Sequence, residues 1–379
     1  MTICVYLVGG AVRDSLLGLT ITDRDYVVVG ATEQEMLDMG YQRVGKNFPV
    51  FLHPETKEEY ALARTEKKVT SGHTGFICHA SPEVTLEEDL LRRDITINAI
   101  AQSTSGQIID PLGGESDLAD KLLKHASDAF TEDPLRILRV ARFYSKFHRL
   151  GFKVHPKTTS LIMRMTQEGK LTELSAERIN SELEKAFDTE DPAVFFDYLY
   201  EVGANKFLWP EITEIDVNSL RKLRFTKISS LKIETYFSGL TMNMRSASLN
   251  TFCRRLKCST LRTETSTLVA SFLTQWALVN ELDAKQIISL LQQTDAFRKR
   301  DRFNYFNRIC SNLTKRNDLS KKWNYFLYLA GDVKASDINS GETGATLGKV
   351  IRKVQIQRVE TAITENSKDR NQGSFKRKT

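Results

Sequence analysis

A short stretch near the N-terminus, residues 7–25, constrains the fold more than any other part of this sequence. It reads L-V-G-G-A-V-R-D-S-L-L-G-L-T-I-T-D-R-D. The apolar run before Gly9 predicts a buried strand, and Gly9 and Gly10 break that strand and let backbone N–H groups approach a ligand closely. Residues 11–17 then predict a helix whose N-terminal end favours an anion, with Arg13 in its first turn as a phosphate ligand. The stretch therefore predicts a phosphate-binding turn.

Two aspartates close this stretch in D-x-D spacing. Asp23 and Asp25 precede the apolar run Y-V-V-V, and alternation along a strand places both carboxylates on one face, about 7 Å apart at ~3.3 Å per residue. Such carboxylates can share hard cations, because Mg²⁺ prefers oxygen ligands together with substrate phosphates. The alternative is a strand end with two solvated aspartates, since the spacing alone does not specify a metal site.

The strings G-G-A-V-R-D and D-R-D, taken together, resemble the motif of a known family. Residues 7–30 resemble the motif of the class II nucleotidyltransferases, which comprise CCA-adding enzymes and bacterial poly(A) polymerases. Residues 28–66, with Y-Q-R-V-G-K-N-F-P-V-F-L-H-P-E-T and E-E-Y-A-L-A-R-T-E, are similar to the gammaproteobacterial CCA-adding enzymes that lack a C-terminal His-Asp phosphohydrolase domain. The resemblance is dense from residue 3 to about 210 and thin afterwards.

The resemblance implies an α+β fold with a polymerase β-like, mixed-sheet head followed by an all-α neck, body and tail. The sequence pattern agrees, because short apolar strands alternate with helices until about residue 115 and helical periodicity follows. We expect a head (palm) over 1–115, a nucleotide-selecting neck over 116–190, a tRNA-binding body and tail over 191–365, and a basic disordered tail over 366–379.

The activity that the resemblance implies is template-independent addition of CCA to the 3′ end of tRNA, and repair of incomplete ends, from CTP and ATP. In this interpretation Asp23 and Asp25 hold Mg²⁺ and Glu59 is a metal-proximal acid. Gly10, Arg13 and Arg93 hold the triphosphate. The expected partners are CTP, ATP and the acceptor arm and 3′ end of tRNA, in the cytoplasm; no membrane and no essential protein partner are implied.

A second motif, R-R-D-I-T-I-N-A, lies in a predicted helix over Thr85–Gln102 that opens with a T-x-x-E capping box, as does the stretch Thr32–Met39. Asp94 and Asn98 stand at i and i+4 and are expected to share a face. The string resembles the ribose-selecting motif of the family, so that Asp94 is expected to accept a hydrogen bond from ribose while Arg93 binds phosphate. A solvated helix face with an ion pair is the alternative.

A third motif, T-E-D-P-L-R-I-L-R-V-A-R-F, predicts a helix that starts at Asp133, because Asp is a good N-cap and Pro a good first residue. Arg136, Arg139 and Arg142 recur at three-residue steps as a basic stripe. Asp133 and Arg136 resemble the amino-acid template with which the family chooses a nucleotide. The alternative is that Asp133 only caps the helix and that the stripe is solvated.

The composition excludes fewer classes of function than the motifs do. The 379-residue chain has a net charge of +6, which fits a polyanionic partner and also many ordinary enzymes. Its five cysteines are scattered and predict reduced thiols. Residues 65–80 are rich in Gly, Thr, Ser and Lys and predict a loop. The resemblance implies that this loop helps to switch from C to A addition, while His73, Cys78 and His79 in it lack a fourth ligand for a metal site.

Three other functions stay open from the sequence alone. A poly(A) polymerase, or an enzyme that adds only part of CCA, would share the same fold. A catalytically inactive RNA-binding protein is disfavoured because binding alone does not need the carboxylates. A His-Asp phosphohydrolase site in the C-terminal half is disfavoured because all six histidines lie at or before His155.

Overall fold

The computed structural model divides the chain into two compact units, 1–210 and 211–379. The predicted head and neck both lie within the first unit. The structure describes the backbone of residues 2–45, 50–68, 76–223, 231–333 and 344–375, and the side chains of the same residues except 66–68, 76–78 and 366–375.

All eleven strands of the described residues lie in the first unit. They are β1 (Cys4–Val8), β2 (Asp25–Val29), β3 (Gln42–Val44), β4 (Val50–Leu52), β5 (Glu59–Leu62), β6 (Arg64–Lys68), β7 (Phe76–Ala80), β8 (Ala101–Ser103), β9 (Ile108–Ile109), β10 (Leu122–Leu123) and β11 (Lys153–Val154). Seven of them form one sheet in the order β3-β4-β5-β2-β1-β8-β9. β2 and β5 run parallel and β1 and β2 antiparallel, so the predicted mixed sheet is confirmed.

The central strands are buried on both faces. Val27 and Val28 are each only 2% exposed, and because neighbouring side chains alternate they enter different cores. Val27 packs with Val8 in one cluster, whereas Val28 packs with Phe51 in the other. A continuous apolar run such as Y-V-V-V is typical of a strand covered on both sides. The sheet therefore holds the residues at the ends of β1, β2 and β5 in fixed positions.

In the described residues of the first unit, nine helices surround this sheet or follow it. They are α1 (Gly10–Leu16), α2 (Glu33–Asp38), α3 (Leu86–Leu91), α4 (Gly114–Ala119), α5 (Leu135–Phe147), α6 (Pro156–Gln167), α7 (Ala176–Phe187), α8 (Pro192–Glu201) and α9 (Asn205–Leu208). The capping boxes predicted at Thr32 and Thr85 are both formed, with Glu35 and Glu88 as their reciprocal partners.

The single helix predicted over Thr85–Gln102 is wrong. α3 ends at Leu91, and a short 3-10 helix at Thr96–Asn98 and strand β8 follow. The carboxylate of Asp94 accepts a hydrogen bond from the backbone N–H of Ile95 at 2.9 Å. Such a local bond competes with helical hydrogen bonding, and the β-branched residues that follow also disfavour the helix.

The loop predicted over 65–80 is wrong at both of its ends. β6 and β7 pair there as an antiparallel hairpin, with Arg64 opposite Ala80. Local composition did not reveal the strands because each one is stabilised by its partner across the hairpin. The centre, 69–75, which includes His73, and the side chain of Cys78 lie outside the described residues.

The second unit contains no strand in its described residues, as predicted. Its helices are α10 (Glu214–Lys222), α11 (Lys232–Thr241), α12 (Ser246–Arg255), α13 (Thr260–Ala277), α14 (Ala284–Gln293), α15 (Arg300–Thr314), α16 (Asn317–Gly331) and α17 (Gly344–Phe375). Their core is aromatic: Trp276 and Trp323 are fully buried, and Trp276 Nε1 donates to Asn307 Oδ1 at 2.8 Å. None of the helices in the described part of the chain is both long and apolar enough to cross a membrane.

Two further predictions concern the C-terminal tail and the cysteines. α17 extends through most of the segment predicted to be a disordered tail, up to Phe375, and residues 376–379 lie outside the description. Cys4, Cys253, Cys258 and Cys310 are free thiols, as predicted for these positions.

Candidate active site

One cavity of about 740 Å³ in the first unit is lined by residues of the sheet, α1, α5 and α7. It brings together all the site residues that the sequence predicts. They are Gly10, Arg13, Asp23, Asp25, Glu59, Arg93, Asp94, Asp133, Arg136, Arg139 and Arg142. Residues more than 100 positions apart thus converge on one space, with three acids on the sheet side and a row of arginines on α5.

The turn between β1 and α1 requires a glycine. Gly9 has a φ of 66°, a conformation that glycine adopts without strain. A Cβ at this position would lie 2.9 Å from Nη1 of Arg93. The backbone N–H of Gly9 donates to the carbonyl of Ile100 at 3.1 Å, which ties the turn to the chain before β8. The glycine therefore allows Arg93 to approach the turn.

The acids of the cavity are held by the register of the sheet. Asp25 pairs with Glu59 across the parallel strands β2 and β5, so both side chains emerge on the same face. Asp23 lies before β2 rather than on it, which corrects the expectation of a D-x-D pair within one strand. Partial burial raises the pKa of Asp25, and the negative charge of Asp23 raises it further, against the opposing effect of Arg93.

These acids do not form a closed metal site. Among the described residues, no group of three His, Cys, Asp or Glu side chains is arranged to hold a metal ion. The mutual repulsion of Asp23 and Asp25 nevertheless fits a cation between them, because a positive charge would relieve it. An open carboxylate pair is the donor set that Mg²⁺ uses when water and substrate phosphates complete its coordination.

Arg13 is buried beneath the turn and has partners inside the protein. It is 4% exposed and its Nε donates to Asp14 Oδ1 at 2.8 Å, while Nη1 donates to Asn98 Oδ1. Its guanidinium also lies 4.9 Å from the ring centre of Phe147 on α5. Burial lowers the pKa of Arg13, and Asp14 opposes this effect. Arg13 therefore joins α1 to α5 at the base of the cavity.

The two arginines of the R-R-D motif share a carboxylate that the sequence analysis missed. Asp89, fully buried on α3, accepts hydrogen bonds from Arg92 and from Nη2 of Arg93 at 3.1 Å. Burial alone would raise the pKa of Asp89, but the two guanidinium groups bring it below its ordinary value. Arg93 Nε is buried and has no hydrogen-bond partner, while the side chain as a whole is 19% exposed and lines the cavity.

Asp94 has the most complete hydrogen bonding in the cavity. Oδ1 accepts from Ile95 N at 2.9 Å and from Asn98 Nδ2 at 3.0 Å, while Oδ2 accepts from Nε and Nη2 of Arg139 at 2.8 and 2.7 Å. Burial opposes ionisation, yet Arg139 and Asn98 hold the pKa of Asp94 well below its usual range. Both carboxylate oxygens are engaged within the protein, so the carboxylate orients Asn98 and Arg139.

The predicted pairing of Asp133 with Arg136 is not formed. Arg136 donates to the backbone carbonyls of Ala129 and Arg92 at 2.6 and 2.5 Å. Asp133 instead receives a bidentate contact from Arg178 of α7, at 3.1 and 2.7 Å. Its Oδ1 also accepts from the N–H of Leu135 at 3.1 Å, which is the capping contact that the sequence predicts.

The rest of the basic stripe on α5 is neutralised from α7 and α1. Arg142 Nε donates to Glu182 Oε2 at 2.6 Å, and Glu182 is 2% exposed. Lys146 Nζ lies 3.3 Å from Asp14 Oδ2. The predicted alternative of a solvated stripe therefore does not hold for Arg142. Nothing local in the sequence marks Glu182 or Arg178 as partners, since they lie 40 and 45 positions from Arg142 and Asp133.

Comparisons with known proteins agree with this arrangement. A family model described as the poly(A) polymerase head domain matches residues 5–124. A second, described as the probable RNA and SrmB-binding site of polymerase A, matches residues 151–216. The first segment contains the glycine turn, the acids and the R-R-D motif. The second contains Arg178 and Glu182, whereas Asp133 and the arginines of α5 lie between the two matched segments.

Curated relatives of the chain are named Multifunctional CCA protein. The relative from Actinobacillus pleuropneumoniae is 60% identical over 211 residues, which are 56% of this chain and 51% of that protein. The match thus spans about half the length of that relative. The relative from Haemophilus ducreyi is 44% identical over 345 residues, which are 81% of this chain and 84% of that protein.

Solved structures share the fold at lower identity. The apo form II of a CCA-adding enzyme is 22% identical, with a TM-score of 0.72 over 96% of this chain and 91% of that one. The Thermotoga maritima CCA-adding enzyme complexed with tRNA is 22% identical, with a TM-score of 0.67 over 95% and 88%. The match to the Haemophilus ducreyi protein shows the family: the chain belongs to the multifunctional CCA proteins, within the class II nucleotidyltransferases.

Proposed function

We propose that this protein completes and repairs the 3′-terminal CCA of tRNA, taking CTP and ATP as substrates and releasing pyrophosphate. The observation that carries the proposal is the single cavity in which the acids of the sheet, the glycine turn and the arginines of α5 meet. Related solved structures are described as CCA-adding enzymes in complex with ATP, with CTP and with tRNA. The polyanionic substrates fit the net charge of +6.

Asp23 and Asp25 are the residues that would hold Mg²⁺, with Glu59 beside Asp25 in the neighbouring strand. When bound there, the metal supplies Lewis acidity to the attacking 3′ hydroxyl of tRNA and neutralises charge on the leaving pyrophosphate. The sheet contributes rigidity, because Asp25 and Glu59 are fixed by backbone pairing rather than by a loop. This pre-organisation is what a transition state with developing charge requires.

Gly10 and Arg93 are proposed to contact the triphosphate directly. The Arg93 side chain is 19% exposed, lines the cavity and lies against the glycine turn, so its guanidinium can meet a phosphate there while Asp89 holds it in place. Arg13 is proposed to act indirectly, because it donates a hydrogen bond to Asn98 and so holds that side chain in place. Asp94, whose oxygens are engaged, is proposed to act on the ribose by orienting Asn98 and Arg139.

Nucleotide choice is proposed to reside at Asp133. Cytosine and adenine each present an amino donor beside a ring-nitrogen acceptor, whereas uracil and guanine present a carbonyl beside an N–H. A carboxylate facing the amino group therefore accepts C and A, and it opposes a carbonyl when U or G is bound. Arg178 contacts both oxygens of Asp133 in the structure. Because each carboxylate oxygen can accept two hydrogen bonds, the amino group of a base can donate to Asp133 beside Arg178. Arg136 is proposed to supply the guanidinium of the pair after a shift from its two carbonyl partners.

The helices that follow α5 are proposed to hold the acceptor arm of tRNA by its backbone, in the cytoplasm. The match of residues 151–216 to an RNA-binding family model supports this assignment. A poly(A) polymerase and an enzyme of partial CCA specificity use the same kind of cavity, so the number and identity of the added nucleotides must be measured.

The test is incorporation into tRNA transcripts that lack one, two or three 3′-terminal nucleotides. Labelled CTP and ATP are supplied separately and together, with Mg²⁺, and the products are sized and sequenced. The proposal predicts that each transcript is completed to CCA and not extended further. The Asp23→Ala variant serves as the inactive control. Long A tails would support a poly(A) polymerase, and a stop after CC or a need for a CC end would support a partial enzyme.

A further inference from the structure

A groove between α15 and α16 of the second unit stands apart from the catalytic cavity. It encloses about 450 Å³. Its lining residues are Arg300, Asn304 and Arg308 on α15 and Asn324, Leu327 and Tyr328 on α16. The three residues of α15 recur at four-residue steps and so form one row along that helix. We call these six residues the α15–α16 groove.

Tyr328 is the exposed aromatic residue of the groove. It is 69% exposed, whereas Phe326 and Trp323 of the same helix are 1% and 0% exposed. A single exposed aromatic residue is not informative by itself. Here the ring stands in a groove whose other residues are mainly guanidinium and amide groups, which is the composition of a site that binds a planar ring with polar edges.

Arg300 is positioned at one end of the groove. Its Nη2 donates to the carbonyl of Gly331 at 3.2 Å, and a Cβ at Gly331 would lie 2.6 Å from the same nitrogen. The absence of a side chain at Gly331 therefore lets the arginine lie across the end of α16. Arg300 and Arg308 are two turns apart, about 12 Å along the helix axis, and their long side chains flank the residues between them.

Amide groups complete the lining. Asn324 Oδ1 accepts a hydrogen bond from Nδ2 of the buried Asn307 at 2.8 Å. The orientation of the Asn324 amide is thereby fixed, and its NH₂ group remains as a donor. The groove thus combines two cationic groups, fixed hydrogen-bonding groups and an aromatic face.

The groove differs from a neighbouring basic surface of the same unit. There Arg298 contacts Asp295 at 2.7 Å, and Arg302 and Lys299 contact Glu264 at 3.1 and 3.8 Å. Carboxylates thus counter the basic groups of that surface, while the described residues that line the α15–α16 groove include no Asp or Glu. The two arginines in the described lining fit a polyanionic ligand.

We propose that the α15–α16 groove binds one unstacked nucleotide of the tRNA, with its base against Tyr328 and its flanking phosphates at Arg300 and Arg308. This inference rests on the proposed function, because it is the proposed function that identifies the bound RNA as tRNA. Stacking of a base on an aromatic residue is tolerant of sequence, and arginine binds phosphate without reading the base. The groove thus serves every tRNA alike, as an enzyme that acts on all of them requires.

The first experiment measures the affinity of the full-length protein for a tRNA transcript that lacks its 3′-terminal CCA. Tyr328→Ala is expected to weaken binding by about 5- to 150-fold, the equivalent of about 1–3 kcal/mol for one stacked base. Tyr328→Phe keeps the ring and is expected to bind like the original protein. Tyr325→Ala removes a ring of the same helix that is 44% exposed and lies outside the groove lining, and it is the matched control.

Salt dependence tests the phosphate contacts. Arg308→Gln is expected to reduce the slope of log Kd against log salt by about 1, the value for one lost phosphate contact. Irradiation of the complex with ultraviolet light, followed by peptide mapping, is expected to recover a crosslink on the peptide that contains Tyr328. Equal affinity for Tyr328→Ala and Tyr325→Ala, or crosslinks confined to other peptides, would overturn the proposal.

Two controls separate this inference from the proposed function. If the original protein incorporates CMP and AMP while Tyr328→Ala binds tRNA normally, the inference fails and the function stands. If the original protein neither binds tRNA nor incorporates nucleotides, both fail. Tyr328-dependent binding of ATP alone, measured in the Asp25→Asn variant, would reveal a mononucleotide site and would overturn the assignment to tRNA.

Discussion

The two units of the molecule use charged side chains in different ways. In the first unit, Arg139 with Asp94 and Arg142 with Glu182 join elements 45 and 40 positions apart and are largely buried. In the second unit one long-range pair, Arg262 with Glu234, is also largely buried, whereas pairs such as Arg298 with Asp295 span three positions and are exposed. Most of its interior is formed by apolar and aromatic side chains, among them Trp276 and Trp323.

The difference shows in which parts of this protein the charged groups are held in fixed positions. A buried ion pair adds little net stability compared with apolar residues of the same volume, but it fixes the groups that it joins. Exposed local pairs fix little, because water and salt screen them and the side chains stay free to move. We therefore expect the first unit to hold a small ligand in one geometry and the second to offer an adaptable surface. Four changes, taken from the largest expected effect to the smallest, test this contrast.

The largest effect is expected from the acids at the end of β2. Asp25→Asn should reduce nucleotide incorporation by about a thousandfold or more, because metal-assisted charge stabilisation is worth several kcal/mol in the transition state. Binding of the tRNA transcript should change little, since that contact lies elsewhere. Glu58→Gln removes a neighbouring carboxylate that contacts Arg24 at 3.7 Å and is the control. A variant that retains most of its turnover would contradict the catalytic assignment.

The second prediction contrasts a buried carboxylate with an exposed one. Asp94→Ala should lower the free energy of unfolding by about 3 kcal/mol, because Arg139 and Asn98 lose their common partner. The lower end of the usual range applies because the Arg139 side chain is 34% exposed and water can solvate it in part. Asp318→Asn, which breaks the exposed pair with Arg316, should leave the denaturation midpoint unchanged. Equal shifts for both variants would contradict the contrast between the units.

The third prediction concerns nucleotide choice. Asp133→Ala should reduce the preference for CTP and ATP over UTP and GTP by about a hundredfold, since each base contact is worth about 1–3 kcal/mol. The loss of the cap itself should cost only about 1 kcal/mol of stability. The four nucleotides are compared by kcat/KM, with Glu132→Ala as the neighbouring control. If Asp133→Ala is less stable yet keeps its preference, Asp133 is only a cap.

The smallest effect is expected at high pH. Burial raises the pKa of Tyr60 to about 12, with further contributions from Tyr41 and Tyr26. Because the folded-state pKa exceeds the unfolded value of about 10, this group's contribution to stability is complete below pH 10 and is lost as the pH rises towards 12. Tyr60→Phe should flatten that part of the stability profile and remove a tyrosinate absorption step near pH 12. Tyr328→Phe, at a ring that is 69% exposed, should leave the profile unchanged.

The sequence predicted the parts of the site that local pattern can encode. Alternation along β2 and the resemblance to a family pointed to Asp25 and Glu59, and the helix-capping signals at Thr32 and Thr85 were correct. The misread segments were those in which a side chain or a partner strand overrides composition, as at Asp94 and in the β6–β7 hairpin. Local propensity contains no information about such partners.

The partners of the arginines were also beyond the reach of sequence patterns. Arg178 and Glu182 lie one turn apart on α7, and they look like an ordinary helical charge pair. The fold turns both towards α5, where they bind Asp133 and Arg142. Residues 40 to 45 positions away cannot be matched by periodicity, so the roles of these two residues follow only from the packing of α7 against α5.

The parallel register of β2 and β5 has a consequence for how the chain can change length in evolution. β5 is reached through a turn in which His53 N donates to Glu58 O at 3.0 Å and Lys57 has a φ of 60°. A residue gained or lost within β5 would shift the pairing by one position and direct Glu59 to the opposite face, away from Asp25. The turn can absorb the same insertion without moving either acid. Insertions and deletions should therefore accumulate at residues 54–57 and be excluded from β5. The length of the turn can then change in evolution while the sheet keeps both acids in place.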